Sequence, residues 1–229
     1  MNIDNLTPEE LAAYFDHSIL QPYNILADYE NHIEECLKYG FYSAAINSHI
    51  VPHYVKCLSG RNVMVGAAIG FPFGQANVAG KLEEARVAID EGATELDYVL
   101  NIGRLLDGNR SYIKDEMQRM MDLSHSKDVV LKVILETCYL KESHKIMACE
   151  VAVETQIDFV KTSTGFGSGG ATVEDLKLMR EVVGDNVKIK ASGNMRKLQN
   201  VAAVIEAGAD RIGSSFSASI LDSFIASKS

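Results

Sequence analysis

The sequence has little of what staples, anchors or divides a chain. Its four cysteines, Cys36, Cys57, Cys138 and Cys149, show no CxxC spacing, and reduced thiols in a cytoplasmic protein are expected. The longest uncharged apolar run, 63–73, falls far short of the ~20 residues that span a bilayer. The opening Met1-Asn2-Ile3-Asp4 is acidic and lacks the basic and apolar regions of a signal peptide. Bases are outnumbered, 22 Lys and Arg against 31 Asp and Glu, which leaves a net charge of -9. That excess argues against nucleic acid or an anionic membrane as partner, but leaves room for a small basic pocket that takes an anionic metabolite. No Pro/Ser linker or shift in composition divides the 229 residues, so residues 1–229 are read as a single domain. With 47% apolar and 23% charged residues, a chain of this length can bury roughly 70% of its unfolded surface without staples.

What the chain does carry is a rhythm: a short β-rich apolar run, a loop, then an amphipathic helix. Thr7-Pro8-Glu9-Glu10 reads as a capping box with Pro at the first helical position, so a short N-terminal helix is expected to reach about residue 15. Strands are predicted over 16–20, 42–47, 63–70, 95–102, 129–136, 158–162, 187–192 and 211–215. Helices are predicted near 28–39, 50–59, 78–91, 109–125, 141–155, 173–183, 196–206 and 217–226. Gly92 and Gly208 follow two of these and read as helix-ending glycines. Strands that alternate with helices point to a parallel sheet, and nearly continuous apolar runs suit strands covered on both faces. Eight such units favour a closed (β/α)8 TIM barrel, an α/β fold, over an open doubly wound sheet. The chemistry of a barrel sits at the C-terminal ends of its strands.

Three strands carry a lysine among apolar or small residues: Leu131-Lys132-Val133, Val160-Lys161-Thr162 and Ile189-Lys190-Ala191. One such lysine can reach solvent or pair with a carboxylate. Three on different strands, with Asp16, Asp97 and Glu136 also on strands, read as a buried mixed-charge cluster, and active sites are where that cost recurs. The cluster suits Schiff-base formation. An amine attacks a carbonyl only when unprotonated, and both a second ammonium and desolvation depress its pKa. Lys161 and Lys190 lie near the ends of consecutive strands, which a barrel makes neighbours. Asp97 is the candidate acid–base partner.

After Lys161 the chain reads Thr162-Ser163-Thr164-Gly165-Phe166-Gly167-Ser168-Gly169-Gly170-Ala171-Thr172. The GxGxxG in it lacks the acidic residue that a dinucleotide site needs at the end of the next strand, which closes Lys190-Ala191-Ser192. It misses a Walker motif because Ala171 stands where lysine belongs. A flexible glycine loop is the bland alternative; a backbone open to an anion is the functional one. Ser192-Gly193-Asn194 and Gly213-Ser214-Ser215 end the last two strands, where barrels commonly hold phosphate. His49 and His53 lack a third ligand and have Pro52 between them, so no metal is expected, and no cofactor. No GxSxG elbow occurs. His17, beside Asp16, is read as structural.

The chain carries Asp16-His17-Ser18-Ile19-Leu20, Ile69-Gly70-Phe71-Pro72-Phe73-Gly74, Gly92-Ala93-Thr94-Glu95-Leu96-Asp97, Leu131-Lys132-Val133-Ile134-Leu135-Glu136-Thr137, Phe159-Val160-Lys161-Thr162-Ser163-Thr164-Gly165, Lys188-Ile189-Lys190-Ala191-Ser192-Gly193 and Arg211-Ile212-Gly213-Ser214-Ser215. Through these markers it resembles the deoxyribose-phosphate aldolase family over nearly its whole length. The resemblance implies a class I aldolase that reversibly cleaves 2-deoxy-D-ribose 5-phosphate to D-glyceraldehyde 3-phosphate and acetaldehyde. It implies Lys161 as Schiff-base nucleophile, Lys190 as the neighbouring ammonium, Asp97 as proton donor and acceptor, and Asp16 in a supporting role. Gly165, Gly193 and Ser215 match its phosphate positions, which with Asn194, Gly213 and Ser214 make the expected phosphate site. Asn194 stands where the family has a second glycine, and asparagine adopts the left-handed conformation more readily than most residues. Ala45 replaces a common cysteine, and the tail Ala226-Ser227-Lys228-Ser229 lacks the tyrosine of some members.

The expected partner is a small sugar phosphate. Barrel enzymes are often homodimers, though no pattern here fixes an interface. Two rival readings remain: another phosphate-binding barrel lyase or isomerase without a Schiff base, and a non-catalytic sugar-phosphate-binding barrel.

Overall fold

A computed structural model describes residues 3–228. Met1, Asn2 and Ser229, at the two ends read above, lie outside the described residues. The eight strands are β1 (Phe15–Ile19), β2 (Ser43–Asn47), β3 (Met64–Ile69), β4 (Glu95–Val99), β5 (Val130–Ile134), β6 (Phe159–Lys161), β7 (Lys188–Ser192) and β8 (Arg211–Ser214). All pair in parallel and in sequence order, and β8 closes on β1, so the fold is a (β/α)8 barrel. A short α1 (Pro8–Ala12) precedes β1. Around the barrel run α2 (Leu26–Tyr39), α3 (Val51–Cys57), α4 (Val78–Asp90), α5 (Ile102–Leu106), α6 (Arg110–His125), α7 (Glu142–Glu154), α8 (Val173–Val183), α9 (Leu198–Glu206) and α10 (Ser217–Lys228).

The local signals act as expected at most ends. Thr7 and Glu10 form the reciprocal capping box of α1, at 3.2 and 2.8 Å. Gly92 and Gly208 follow α4 and α9 with φ of 102° and 104°. The N-terminal helix stops at Ala12, short of the expected 15. The strand expected over 95–102 ends at Val99. Asn101 accepts the Arg104 amide at 3.1 Å and starts α5, a helix the sequence reading missed.

Side chains alternate across each strand. The outward set (Phe15, Ala44, Ile46, Val65, Ala67, Leu96, Tyr98, Leu131, Val133, Val160, Ile189, Ile212) joins the buried apolar layer under the helices. The inward set is different in kind: Asp16, Ser43, Ala45, Gly66, Ala68, Glu95, Asp97, Lys132, Lys161, Lys190 and Arg211. Small residues on β2 and β3 leave the interior to long charged side chains from the other strands. Among the described residues, no helix is long and apolar enough to cross a membrane.

Candidate active site

The barrel interior holds one connected charge network, all of it nearly inaccessible to solvent. Lys161 and Lys190 are register partners on β6 and β7. Their Nζ atoms donate to the same Asp97 oxygen, Oδ2, at 2.6 and 2.7 Å. Lys190 also donates to Asp16 Oδ2. Below them Lys132 reaches Glu95 at 2.8 Å and Asp97 Oδ1 at 3.1 Å. Arg211 reaches Asp16 Oδ1 at 2.6 Å, and its guanidinium lies 3.5 Å from the centre of the Tyr42 ring. Four cations thus share three carboxylates, which is how so much charge is tolerated out of water.

The shared arrangement sets the protonation states. Burial lowers Lys161 to about 8; Asp97 opposes that fall and Lys190 adds to it. Burial alone would raise Asp97, but Lys132, Lys161 and Lys190 together hold it well below the usual carboxylate range. Asp16 is likewise held low, chiefly by Lys190, Lys132 and Arg211 against its own burial. Lys132 goes the other way: despite burial, its three carboxylates raise it above the ordinary lysine value. Lys132 is therefore a fixed cation, while Lys161 is an amine that neutral solution leaves partly unprotonated.

Above this network opens a cavity of about 370 Å³. Lys161 and Lys190 line it, and so do all six expected phosphate residues: Gly165, Gly193, Asn194, Gly213, Ser214 and Ser215. Asp97 and Asp16 do not line it; they lie behind the lysines. Asn194 adopts φ 61°, next to Gly193 at 74°, so the left-handed turn is kept without the second glycine. The two loops are pressed together there: a Cβ on Gly170 would lie 2.3 Å from the Gly193 carbonyl carbon. Ser192 Oγ donates to Ser163 O at 2.5 Å, and Thr162 Oγ1 to Ser192 O at 3.0 Å, tying the β6 loop to the end of β7. The Ser214 hydroxyl is committed, donating to Met195 O at 2.5 Å and accepting from the Phe216 amide at 2.9 Å.

Glu136 is not among the lysines' partners. Its carboxylate accepts the Thr164 amide at 3.2 Å and the Thr164 hydroxyl, so it holds the glycine loop. His17, on β1, lines the same cavity, stacked on His32 at 4.2 Å and bonded to Glu35 at 2.8 Å. His53 pairs with Glu30 at 3.0 Å. Sequence reasoning missed Glu95 and Arg211, which complete the network, and Arg196, a third cation lining the cavity. Arg211 and Glu95 open their strands, where a charge reads as an exposed edge. The inward alternation shared with Asp97 and Lys190 was the signal that could have found them.

The DeoC/LacD family aldolase profile matches residues 10–219. The chain is 46% identical over 215 residues to the deoxyribose-phosphate aldolase of Thermococcus gammatolerans, covering 93% of this chain and 96% of that one. It is 45% identical over 222 residues to the deoxyribose-phosphate aldolase of Bacteroides thetaiotaomicron, covering 97% and 93%. The solved tetrameric deoxyribose phosphate aldolase of Aeropyrum pernix superposes with a TM-score of 0.90 at 30% identity, covering 97% of this chain and 94% of that one.

Proposed function

This chain belongs to the DeoC/LacD aldolase family, and on that premise we propose that it cleaves 2-deoxy-D-ribose 5-phosphate, reversibly, through a Schiff base on Lys161. The observation that carries the reading is the pair of ammonium groups, Lys161 and Lys190, closing on one oxygen of Asp97 at the floor of a cavity whose rim is glycine and serine.

Unprotonated Lys161 Nζ adds to the C1 aldehyde of the open-chain sugar. The carbinolamine loses water to leave an iminium. The C3 hydroxyl gives up its proton, the C2–C3 bond breaks, and its electron pair moves toward the iminium nitrogen to form an enamine. Glyceraldehyde 3-phosphate departs. Protonation of the enamine at C2 and addition of water release acetaldehyde and restore the amine. Asp97, joined to both lysines, is positioned to pass these protons, with Asp16 and Arg211 holding Lys190 in place. The phosphate is read into the turn of Gly193, Asn194, Gly213 and Ser215 with Gly165, where Arg196 supplies charge that the net -9 of the chain does not.

Acetaldehyde with borohydride tests the reading. A stable ethyl group should appear on the peptide that contains Lys161, seen by mass spectrometry. An active protein without that adduct would overturn it.

A further inference from the structure

The cavity is one-sided. Its lining comes from β1, β2, β6, β7 and β8, from α2 and from the loops that follow these strands; among the described residues none comes from β3, β4 or β5 or the loops after them. Yet Asp97 is on β4, and Lys132 is on β5. Something closes that half of the barrel mouth.

Two loops do so. The loop after β3 leans over the end of β4: a Cβ on Gly74 would lie 2.2 Å from the Leu100 carbonyl oxygen. The loop after β6 leans the other way, over the end of β5: a Cβ on Gly167 would lie 2.8 Å from Cys138 Sγ and 3.1 Å from Glu136 Oε1. The two loops meet ring to ring. Phe71 and Phe166 pack edge-on, with centroids 5.3 Å apart and planes at 88°. Phe166 also lines the cavity beside Lys161.

We propose that Phe71 and Phe166 form an aromatic roof that keeps water off the Asp97–Lys161 pair and so tunes Lys161 for imine formation. The inference rests on the reading of Lys161 as the imine-forming amine. The rings act through Lys161; they are positioning residues. Burial is the first cause of the low value of Lys161, and Phe166 stands beside Lys161 in the cavity lining with Phe71 packed behind it. The charges facing Lys161 are Asp97 from β4, Lys132 from β5 and Lys190 from β7, with Asp16 from β1 behind Lys190. Substitution of either ring leaves all of them in place. Only access of water changes.

The test is the pH profile of acetaldehyde labelling at Lys161, trapped with cyanoborohydride and read by mass spectrometry. In wild type the midpoint should fall near the value of about 8. Phe71→Ala and Phe166→Ala should each move it toward the ordinary lysine value, by on the order of one pH unit, because rehydration favours the ammonium. Phe166→Leu, which keeps apolar cover without the edge contact, should fall between. Phe73→Ala, in the same loop but 72% exposed, should leave it unchanged. A wild-type midpoint in both alanine variants overturns the roof. So does loss of labelling at every pH, since the rings are given no part in holding Lys161. No label in wild type would overturn the Lys161 reading, and the role of the roof with it.

Discussion

Lys161 and Lys190 face each other across β6 and β7 and close on a single atom, Asp97 Oδ2, at 2.6 and 2.7 Å. One carboxylate oxygen between two amines gives the site its asymmetry. The anion favours the charged form of both, so burial and the second ammonium must outweigh it for either amine to be nucleophilic. At Lys161 they do.

Lys190→Leu should therefore raise the Lys161 value above about 8, because Lys190 lowers it and, once removed, leaves Asp97 more attractive to the remaining ammonium. A rise of one to two pH units cuts the unprotonated fraction at neutral pH about 10- to 100-fold. The rate against pH should fall at neutral pH and recover part of the loss in alkali. An unchanged alkaline limb would show that Lys190 does not set the Lys161 value.

Asp97→Asn acts with the opposite sign on the same amine. Asp97 raises Lys161, so its neutralisation should lower Lys161 further and keep it reactive at neutral pH. Proton transfer should suffer instead, with turnover down roughly 10²–10⁴-fold. Borohydride labelling with acetaldehyde should thus stay near wild type while steady-state cleavage collapses. Parallel loss of both would remove Asp97 from the proton path.

Keeping a low-pKa lysine has a stability consequence. The folded value of Lys161, about 8, lies below the ordinary 10.5 of an unfolded chain. The unfolded state then binds this proton more tightly, so the charged side chain opposes folding fully below about pH 8, and the penalty fades as pH rises toward 10.5. At about 1.4 kcal/mol per pH unit the penalty is roughly 3 kcal/mol. Lys161→Met should melt higher than wild type at neutral pH and lose most of that advantage by about pH 10. Equal melting temperatures across that range would contradict the lowered value.

Much of this architecture was legible in the residues. The alternation of apolar runs and amphipathic helices gives the barrel, and Lys161, Lys190 and Asp97 stand out because charge is rare inside such runs. Chain order in a closed barrel then makes two of them neighbours. Other features were not legible for physical reasons. Asn101 starts α5 through a side-chain cap just past the end of β4, a contact that a run of apolar residues does not reveal. Glu95 and Arg211 lie at strand starts, where the same residue type is usual at a solvent edge; only closure of the barrel puts them inside. Phe71 and Phe166 belong to glycine loops far apart in sequence, and nothing local predicts that their rings meet.

On the proposed function, substrate choice turns on the rim. The chain carries a net charge of -9, which repels a sugar phosphate at long range, so local donors must supply the affinity. Gly165, Gly193, Asn194 and Gly213 bring backbone to the cavity; the Ser214 hydroxyl is spent on Met195 O, which leaves Ser215 as the hydroxyl of that turn. Hydrogen bonds to a charged group are worth roughly 1.5–3 kcal/mol each, so losing two or three with the phosphate should cost on the order of 10²–10⁵-fold in kcat/KM. Deoxyribose 5-phosphate should be preferred over free deoxyribose by that factor, and inorganic phosphate should compete weakly. Ser215 is exposed at the start of the turn into α10, so Ser215→Asp should fold normally and set a carboxylate against the phosphate. KM for the phosphorylated sugar should rise while the free sugar is spared. The measurement is the ratio of kcat/KM for the two sugars in both proteins. A wild-type ratio near one, or a ratio that Ser215→Asp leaves unchanged, would mean that the phosphate is held elsewhere.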